Sequence, residues 1–162
     1  MRVETASRAP HARKHGATFA ESWTLADGAT LVAVGAVLAG GDSVIVSDLL
    51  RTGARAVLTS RNALAFARGA SDVDVAGAGQ LHAALIDGSG AQQPLHGHAA
   101  ALGTGLAAGA EVQSLRLRRD DLVAVATVPL ERAWWDSGDR SAAGLLQRSG
   151  AHDGSVAVVA LA

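Results

Sequence analysis

The chain has 162 residues, a formal net charge of −1 and no cysteine. A chain of this length is expected to bury a core as one domain. Its nearly balanced charge indicates neither a nucleic-acid partner nor an anionic membrane surface, and the lack of cysteine excludes disulfides and thiolate metal sites. Residues 1–18 lack the apolar core of a secretory signal, so the sequence predicts a cytoplasmic protein.

The first 16 residues are charged and aperiodic, and they predict a flexible N-terminal arm ahead of a single β domain over residues 17–162. Inside that domain, Gly28, Gly53 and Gly109 each precede an apolar run that reads as a strand. A turn-to-strand step that recurs at roughly 25 to 30 residues is typical of stacked sheets or of a solenoid-like sheet pair.

The apolar and β-branched runs predict strands near residues 29–38, 43–49, 54–60, 81–86, 111–118 and 122–128. Residues 121–128 form a continuous apolar run, which is typical of a strand buried on both faces. A final strand is predicted at 155–161, and its apolar sequence would be prone to association at a sheet edge. A short helix rich in Ala and Leu is a candidate after the turn at 137–139. The fold class is therefore predicted as all-β, with at most one or two short helices.

Three histidines, His82, His96 and His98, form the candidate metal site. His96 and His98 are two residues apart, so on a strand they would share a face, and Gly97 between them leaves room for a ligand. Imidazole suits nickel and zinc. The alternative is a loop with two exposed histidines, since no carboxylate lies within a few residues to complete the usual ligand set.

The sequence has no clear catalytic set. Asp42-Ser43 resembles the start of a G-D-S hydrolase motif, but no histidine has the aspartate three residues before it that such a base usually has. The glycines of residues 103–109 miss the dinucleotide-loop spacing, and no Walker motif is present. The chain is therefore predicted not to be an enzyme. Trp134 and Trp135 lie on a polar segment and form either a candidate partner interface or a cap on the core.

A family resemblance rests on two segments. Gly41 and Asp42 are followed by Gly53-Ala54-Arg55 and then by Ala56-Val57-Leu58-Thr59-Ser60, and residues 94–111 lead from a Pro-Leu turn to Gly109-Ala110-Glu111. Over residues 30–118, this pattern resembles the urease accessory protein UreD (UreH) family. The resemblance implies a structural turn-and-strand role for Gly41, Asp42, Gly53, Arg55 and Gly109, and it implies a strand at 62–68, where alanine by itself would favour a helix.

The resemblance also implies a function. It implies a non-enzymatic scaffold that assists nickel insertion into apo-urease together with UreF-like and UreG-like partners. Such a scaffold would have transient contact with nickel and no tightly bound cofactor. The alternative is a small β-domain metal-binding module or enzyme that uses His82, His96 and His98.

Overall fold

The structure is a computed structural model that describes residues 1–9, 18–24, 28–37, 60–68, 71–78, 82–95, 112–131 and 138–162. These residues form ten strands and one helix: β1 (Arg2–Arg8), β2 (Thr18–Thr24), β3 (Thr30–Val37), β4 (Ser60–Arg68), β5 (Asp72–Ala78), β6 (His82–Ile86), β7 (Gln92–Leu95), β8 (Val112–Arg116), β9 (Leu122–Ala126), α1 (Ala142–Arg148) and β10 (Gly154–Ala160).

The strands pair into two antiparallel five-stranded sheets. Sheet 1 has the order β1-β10-β9-β6-β7, and sheet 2 has the order β2-β3-β4-β5-β8. Four strands of sheet 2 are consecutive in the sequence, whereas sheet 1 joins the first and last strands of the described chain. The predicted all-β class and the stacked-sheet option are confirmed, and the solenoid-like option is wrong for the described residues because their neighbouring strands run antiparallel in two separate sheets.

The main core lies between the sheets. Alternate side chains of β9 and β10, such as Val123, Val125 and Val159, face valines of β3 and β5 on sheet 2. The opposite face of β9 and β10 is covered by α1 through Leu145 and Leu146. Every residue of β9 and β10 is therefore buried, and each large apolar side chain removed from water stabilises the fold by about 1.5–3 kcal/mol.

Local sequence explains why α1 begins and ends where it does. The hydroxyl of Ser141 accepts a hydrogen bond from the backbone N–H of Gly144 at 3.1 Å and so satisfies one of the free donors of the first turn. Arg148 lies in the last turn, where a cation is favoured. Gly150 then takes a left-handed conformation, with φ 64°, that stops the helix.

Four predicted strands are confirmed as β3, β6, β8 and β9, and the strand implied at 62–68 is β4. The last predicted strand is also present, but β10 lies between β1 and β9 and has no free edge. The predicted short helix is α1. The predicted strands at 43–49 and 54–60 lie outside the described residues, except that Ser60 opens β4.

The predicted N-terminal arm needs a correction. Residues Arg2–Arg8 form strand β1, which pairs along its whole length with β10. Two side chains of β1 pack against the buried clusters, Val3 on the inner face and Ala6 on the outer face. In the part of the chain that the structure describes, helix α1 is not long and apolar enough to cross a membrane.

Candidate functional site at the junction of the two sheets

Polar side chains gather at one end of the space between the sheets. The end of β1 and the start of β10 belong to sheet 1, and there they meet the start of β2 in sheet 2. Ser7, Thr18 and Ser155 project into this space, and Asp153 precedes β10 beside them. Ser155 is fully buried although it is polar. These four residues are called the sheet junction below.

Hydrogen bonds link the four side chains in one continuous series. The Ser7 and Ser155 hydroxyl oxygens are 2.9 Å apart. The Ser155 hydroxyl donates to Thr18 Oγ1 at 3.0 Å, and the Thr18 hydroxyl donates to Asp153 Oδ1 at 2.8 Å. At the other end, the backbone N–H of Ala20 donates to Ser7 Oγ at 3.0 Å.

The direction of this series follows from counting hydrogens. A hydroxyl has one hydrogen to donate and two lone pairs that accept. Thr18 gives its hydrogen to the Asp153 carboxylate, so it accepts from Ser155; Ser155 has then used its own hydrogen, so Ser7 is the donor in the bond between the two serines. All the donors therefore point towards Asp153, an arrangement in which successive bonds polarise and strengthen one another.

Neighbouring backbone groups hold the junction in place. Ser155 and Thr127 are linked by two bonds of 3.0 Å, from Ser155 N–H to Thr127 Oγ1 and from Thr127 N–H to the Ser155 carbonyl. Arg8 Nη1 donates to the carbonyl of Ala151 at 3.0 Å and so ties the end of β1 to the loop that carries Asp153. The position of the Asp153 carboxylate is thus fixed from both sheets.

The histidines predicted as a metal site are only partly visible. His82 opens β6 opposite Ala126, and its side chain is largely exposed. Desolvation of the packed part of the ring lowers the pKa of His82 below its usual value. His96 and His98 lie outside the described residues. Among the residues that the structure describes, no three His, Asp or Glu side chains are grouped as a metal site would require.

The other predicted functional residues, Gly41, Asp42, Gly53, Arg55, Gly109, Trp134 and Trp135, also lie outside the described residues. None of the four junction residues was predicted from the sequence. Asp153-Gly154-Ser155 in front of an apolar run is a visible turn signal. Ser7 and Thr18 carry no local signal at all, because their role comes from partners more than 130 residues away.

Two open cavities lie away from the junction. One, of about 420 Å³, is lined by Arg116 and Arg118 together with Asp87 and Asp121. The other, of about 380 Å³, lies at the far end of β10 and is lined by Arg2, Arg119, Arg140, Asp120 and Asp121, with Leu122 and the last residues of the chain. Acidic groups accompany the arginines in both cavities, so neither has the strong positive charge of a dedicated anion site.

No protein-family model matches the sequence, and no curated protein matches it. Solved structures match the fold over nearly the whole chain. A serine/threonine phosphatase of S. agalactiae matches with a TM-score of 0.76 at 10% identity, covering 99% of this chain and 99% of that one. RsbX in complex with magnesium matches with a TM-score of 0.75 at 12% identity, covering 99% and 94%.

A third structure contains the PP2C phosphatase domain and a regulatory fragment of SpoIIE, a cell fate determinant of Bacillus subtilis. It matches with a TM-score of 0.71 at 15% identity, covering 99% of this chain and 64% of that one. At these identities the likeness concerns the fold. The described residues therefore have the fold of PP2C-type serine/threonine phosphatases.

These comparisons correct the functional predictions. The resemblance to UreD is wrong, because the solved structures that match this fold include a serine/threonine phosphatase and a PP2C phosphatase domain. The predicted role in nickel insertion and the predicted apo-urease, UreF-like and UreG-like partners are wrong for the same reason. The prediction of a non-enzymatic chain without a tightly bound cofactor is contradicted too, since the matched structures include phosphatases and, separately, RsbX in complex with magnesium.

A divalent cation is therefore implied by the fold, and the described donor set can be tested against it. Magnesium binds about six oxygen ligands and prefers carboxylates and water. The sheet junction supplies one carboxylate and three hydroxyls, and every hydroxyl hydrogen is used inside the series. The described residues do not fit a divalent metal centre. The sequence has further acidic residues outside the described ranges, among them Asp42 and Asp48.

Proposed function

We propose that the chain is a PP2C-type phosphatase domain that removes phosphate from phosphoserine or phosphothreonine in a protein substrate. The observation that carries this proposal is the extent of the structural match. Both sheets are matched over 99% of the chain, and the S. agalactiae phosphatase is itself covered to 99%. Agreement over two whole chains supports a shared working domain better than agreement over a single motif would.

The proposed substrate is a regulatory phosphoprotein. Support comes from the matched proteins, because SpoIIE is described as a cell fate determinant that carries a regulatory domain beside its phosphatase domain. A protein substrate also suits the described surface, whose two arginine-containing cavities are open and of mixed charge. Charged groups of both signs at a rim favour orientation of a protein partner over tight capture of a small anion.

The proposed activity requires metal-binding carboxylates beyond those of the described residues. Hydrolysis of a phosphate ester in this class relies on divalent cations that polarise the phosphoryl oxygens and activate water. Carboxylates for such a centre would have to come from outside the described residues, for example from Asp42 or Asp48, which follow β3 in the sequence. Binding of the phosphoprotein can be measured separately from phosphate release.

The test measures phosphate release from phosphoserine and phosphothreonine peptides by the full chain with added Mg²⁺ or Mn²⁺. We expect release that stops when the cations are chelated. Phosphotyrosine peptides and the unphosphorylated peptides serve as controls, and peptide binding is followed in parallel by fluorescence anisotropy. A folded protein that releases no phosphate with either cation would contradict the phosphatase proposal, whether or not the peptides bind.

A further inference from the structure

We infer that the sheet junction joins the two sheets through hydrogen bonds between protein groups, without a metal ion. We also infer that Asp153 does not serve as a metal ligand in this chain. The fold implies a divalent cation, and Asp153 is a carboxylate held between the two sheets at the end of a strand, where a ligand would be well placed. Its surroundings nevertheless have the chemistry of an internal hydrogen-bond series. The inference goes beyond the proposed function and does not depend on it.

The Asp153 carboxylate already accepts a hydrogen bond from a protein group. Thr18 donates to its Oδ1 at 2.8 Å, and the donors behind Thr18 all point the same way. Asp153 also takes part in a further interaction besides this one. A cation bound at Oδ1 would have to share that oxygen with the hydrogen of the Thr18 hydroxyl.

The neighbours of Asp153 are poor partners for magnesium. Ser7, Thr18 and Ser155 are neutral, and a neutral hydroxyl offers a divalent cation less stabilisation than a carboxylate does. Each of these hydroxyls already donates one bond and accepts one bond. Recruiting them as ligands would break the series that joins β1, β2 and β10, and Ser155 is fully buried, so water could not replace the lost bonds.

The same geometry explains what the junction does. Thr18 is on sheet 2, whereas Ser7, Asp153 and Ser155 belong to sheet 1 or its connecting loop. The bonds from Thr18 to Asp153 and from Ser155 to Thr18, and the bond from Ala20 N–H to Ser7, are polar links across the two sheets. The core that the described residues form between the sheets is apolar, so these polar links fix how the sheets are aligned at this end.

The structural role of the sheet junction is tested with Thr18→Val, which keeps the size of the side chain and removes the hydroxyl. The variant leaves the buried Ser155 hydroxyl without its acceptor, so we expect its melting temperature to fall by about 2–12 °C. Thr18→Ser is the matched control, since it retains the hydroxyl and should stay closer to the parent. A Thr18→Val protein as stable as the parent would overturn the structural part of the inference.

The inference that Asp153 is not a metal ligand is tested by titrating Mg²⁺ and Mn²⁺ into the parent, Asp153→Asn and Asp120→Asn proteins. Binding is measured by calorimetry and by the change in melting temperature. Asp153→Asn retains an oxygen that accepts from Thr18, and Asp120 is an exposed control carboxylate. We expect Asp153→Asn to bind either cation within about twofold of the parent, or the parent to bind neither. A tenfold or greater loss of affinity in Asp153→Asn alone, with the fold intact, would overturn the inference.

These outcomes stay separate from those of the phosphatase proposal. A parent that binds Mn²⁺ and hydrolyses phosphopeptides, with unchanged metal affinity in Asp153→Asn, supports both conclusions and places the cation elsewhere. A parent that binds no cation and releases no phosphate contradicts the phosphatase proposal and leaves the inference about Asp153 standing. Loss of metal affinity in Asp153→Asn overturns the inference and strengthens the phosphatase proposal.

Discussion

Gly154, the first residue of β10, offers a sharp test of the packing beside the sheet junction. A Cβ added at this position would lie 2.8 Å from Val128 Cγ1 and 3.1 Å from Leu146 Cδ1. Carbon atoms in contact prefer about 3.5–4.0 Å, so the Val128 methyl would have to move by roughly 1 Å. Side chains of Val128, Leu146 and Ala151 surround this space, and overfilling such a site costs about 1–3 kcal/mol.

The substitution also has a smaller stabilising effect, which must be subtracted from this packing cost. Gly154 does not have a left-handed φ, so alanine can adopt its backbone conformation and reduces the freedom of the unfolded chain, a gain of about 0.4–1 kcal/mol. We therefore expect Gly154→Ala to lower the free energy of unfolding by roughly 1–2 kcal/mol. In thermal unfolding this corresponds to a fall in melting temperature of about 2–8 °C for a chain of this size.

The measurement is urea and thermal unfolding of the parent, Gly154→Ala and Gly88→Ala. Gly88 is exposed, and an added Cβ there would come no closer than 3.4 Å to another atom, so its variant should be nearly neutral. Adding Val128→Ala to Gly154→Ala removes the methyl groups that clash, and the two changes should cost less together than the sum of their separate costs. A Gly154→Ala protein as stable as the parent would refute this account of the packing.

Two further predictions concern α1 and the turn before β7. Leu145→Ala empties a fully buried site under α1 and should lower the free energy of unfolding by about 2–5 kcal/mol in urea. Gln147 is exposed, so Gln147→Ala should change stability by less than about 0.5 kcal/mol. Equal effects of the two substitutions would show that the buried face of α1 is assigned wrongly. Hydrogen bonds from Ser89 and from the backbone of Ala91 lower the pKa of Asp87. Its stabilising effect is therefore present above the usual aspartate pKa and is lost as the pH falls through the lowered value, so Asp87→Asn should flatten the acid side of a stability profile measured between pH 5 and pH 2. An unchanged profile would contradict that assignment.

Local sequence was enough to predict the strands with continuous apolar or β-branched runs. β3, β9 and β10 are buried on both faces, so nearly every residue in them is apolar and the pattern is plain. β1 (RVETASR) was missed because it lies at a sheet edge and carries charged residues that alternate with inward side chains. Its assignment depends on pairing with β10 at the other end of the chain, which no local pattern contains.

The resemblance to UreD failed for a related reason. Its motifs were glycine turns that lead into apolar strands, and such turns occur in many β folds because they satisfy the same local backbone requirements. They carry no information about strand order, and strand order is what distinguishes this sandwich from others. The junction was unpredictable in the same sense, since Ser7 and Ser155 are 148 residues apart and meet only when sheet 1 is complete.

The position of β10 between β1 and β9 has a consequence for how the chain folds. Strands β2 to β5 pair with their neighbours in sequence, so they can form hairpins while later segments are still being synthesised. β1 pairs with β10 alone and must wait, unpaired, until the last described strand has left the ribosome. The closing step joins segments about 150 residues apart, and such distant pairings slow folding. β1 therefore stays unpaired during synthesis for longer than strands β2 to β5 do.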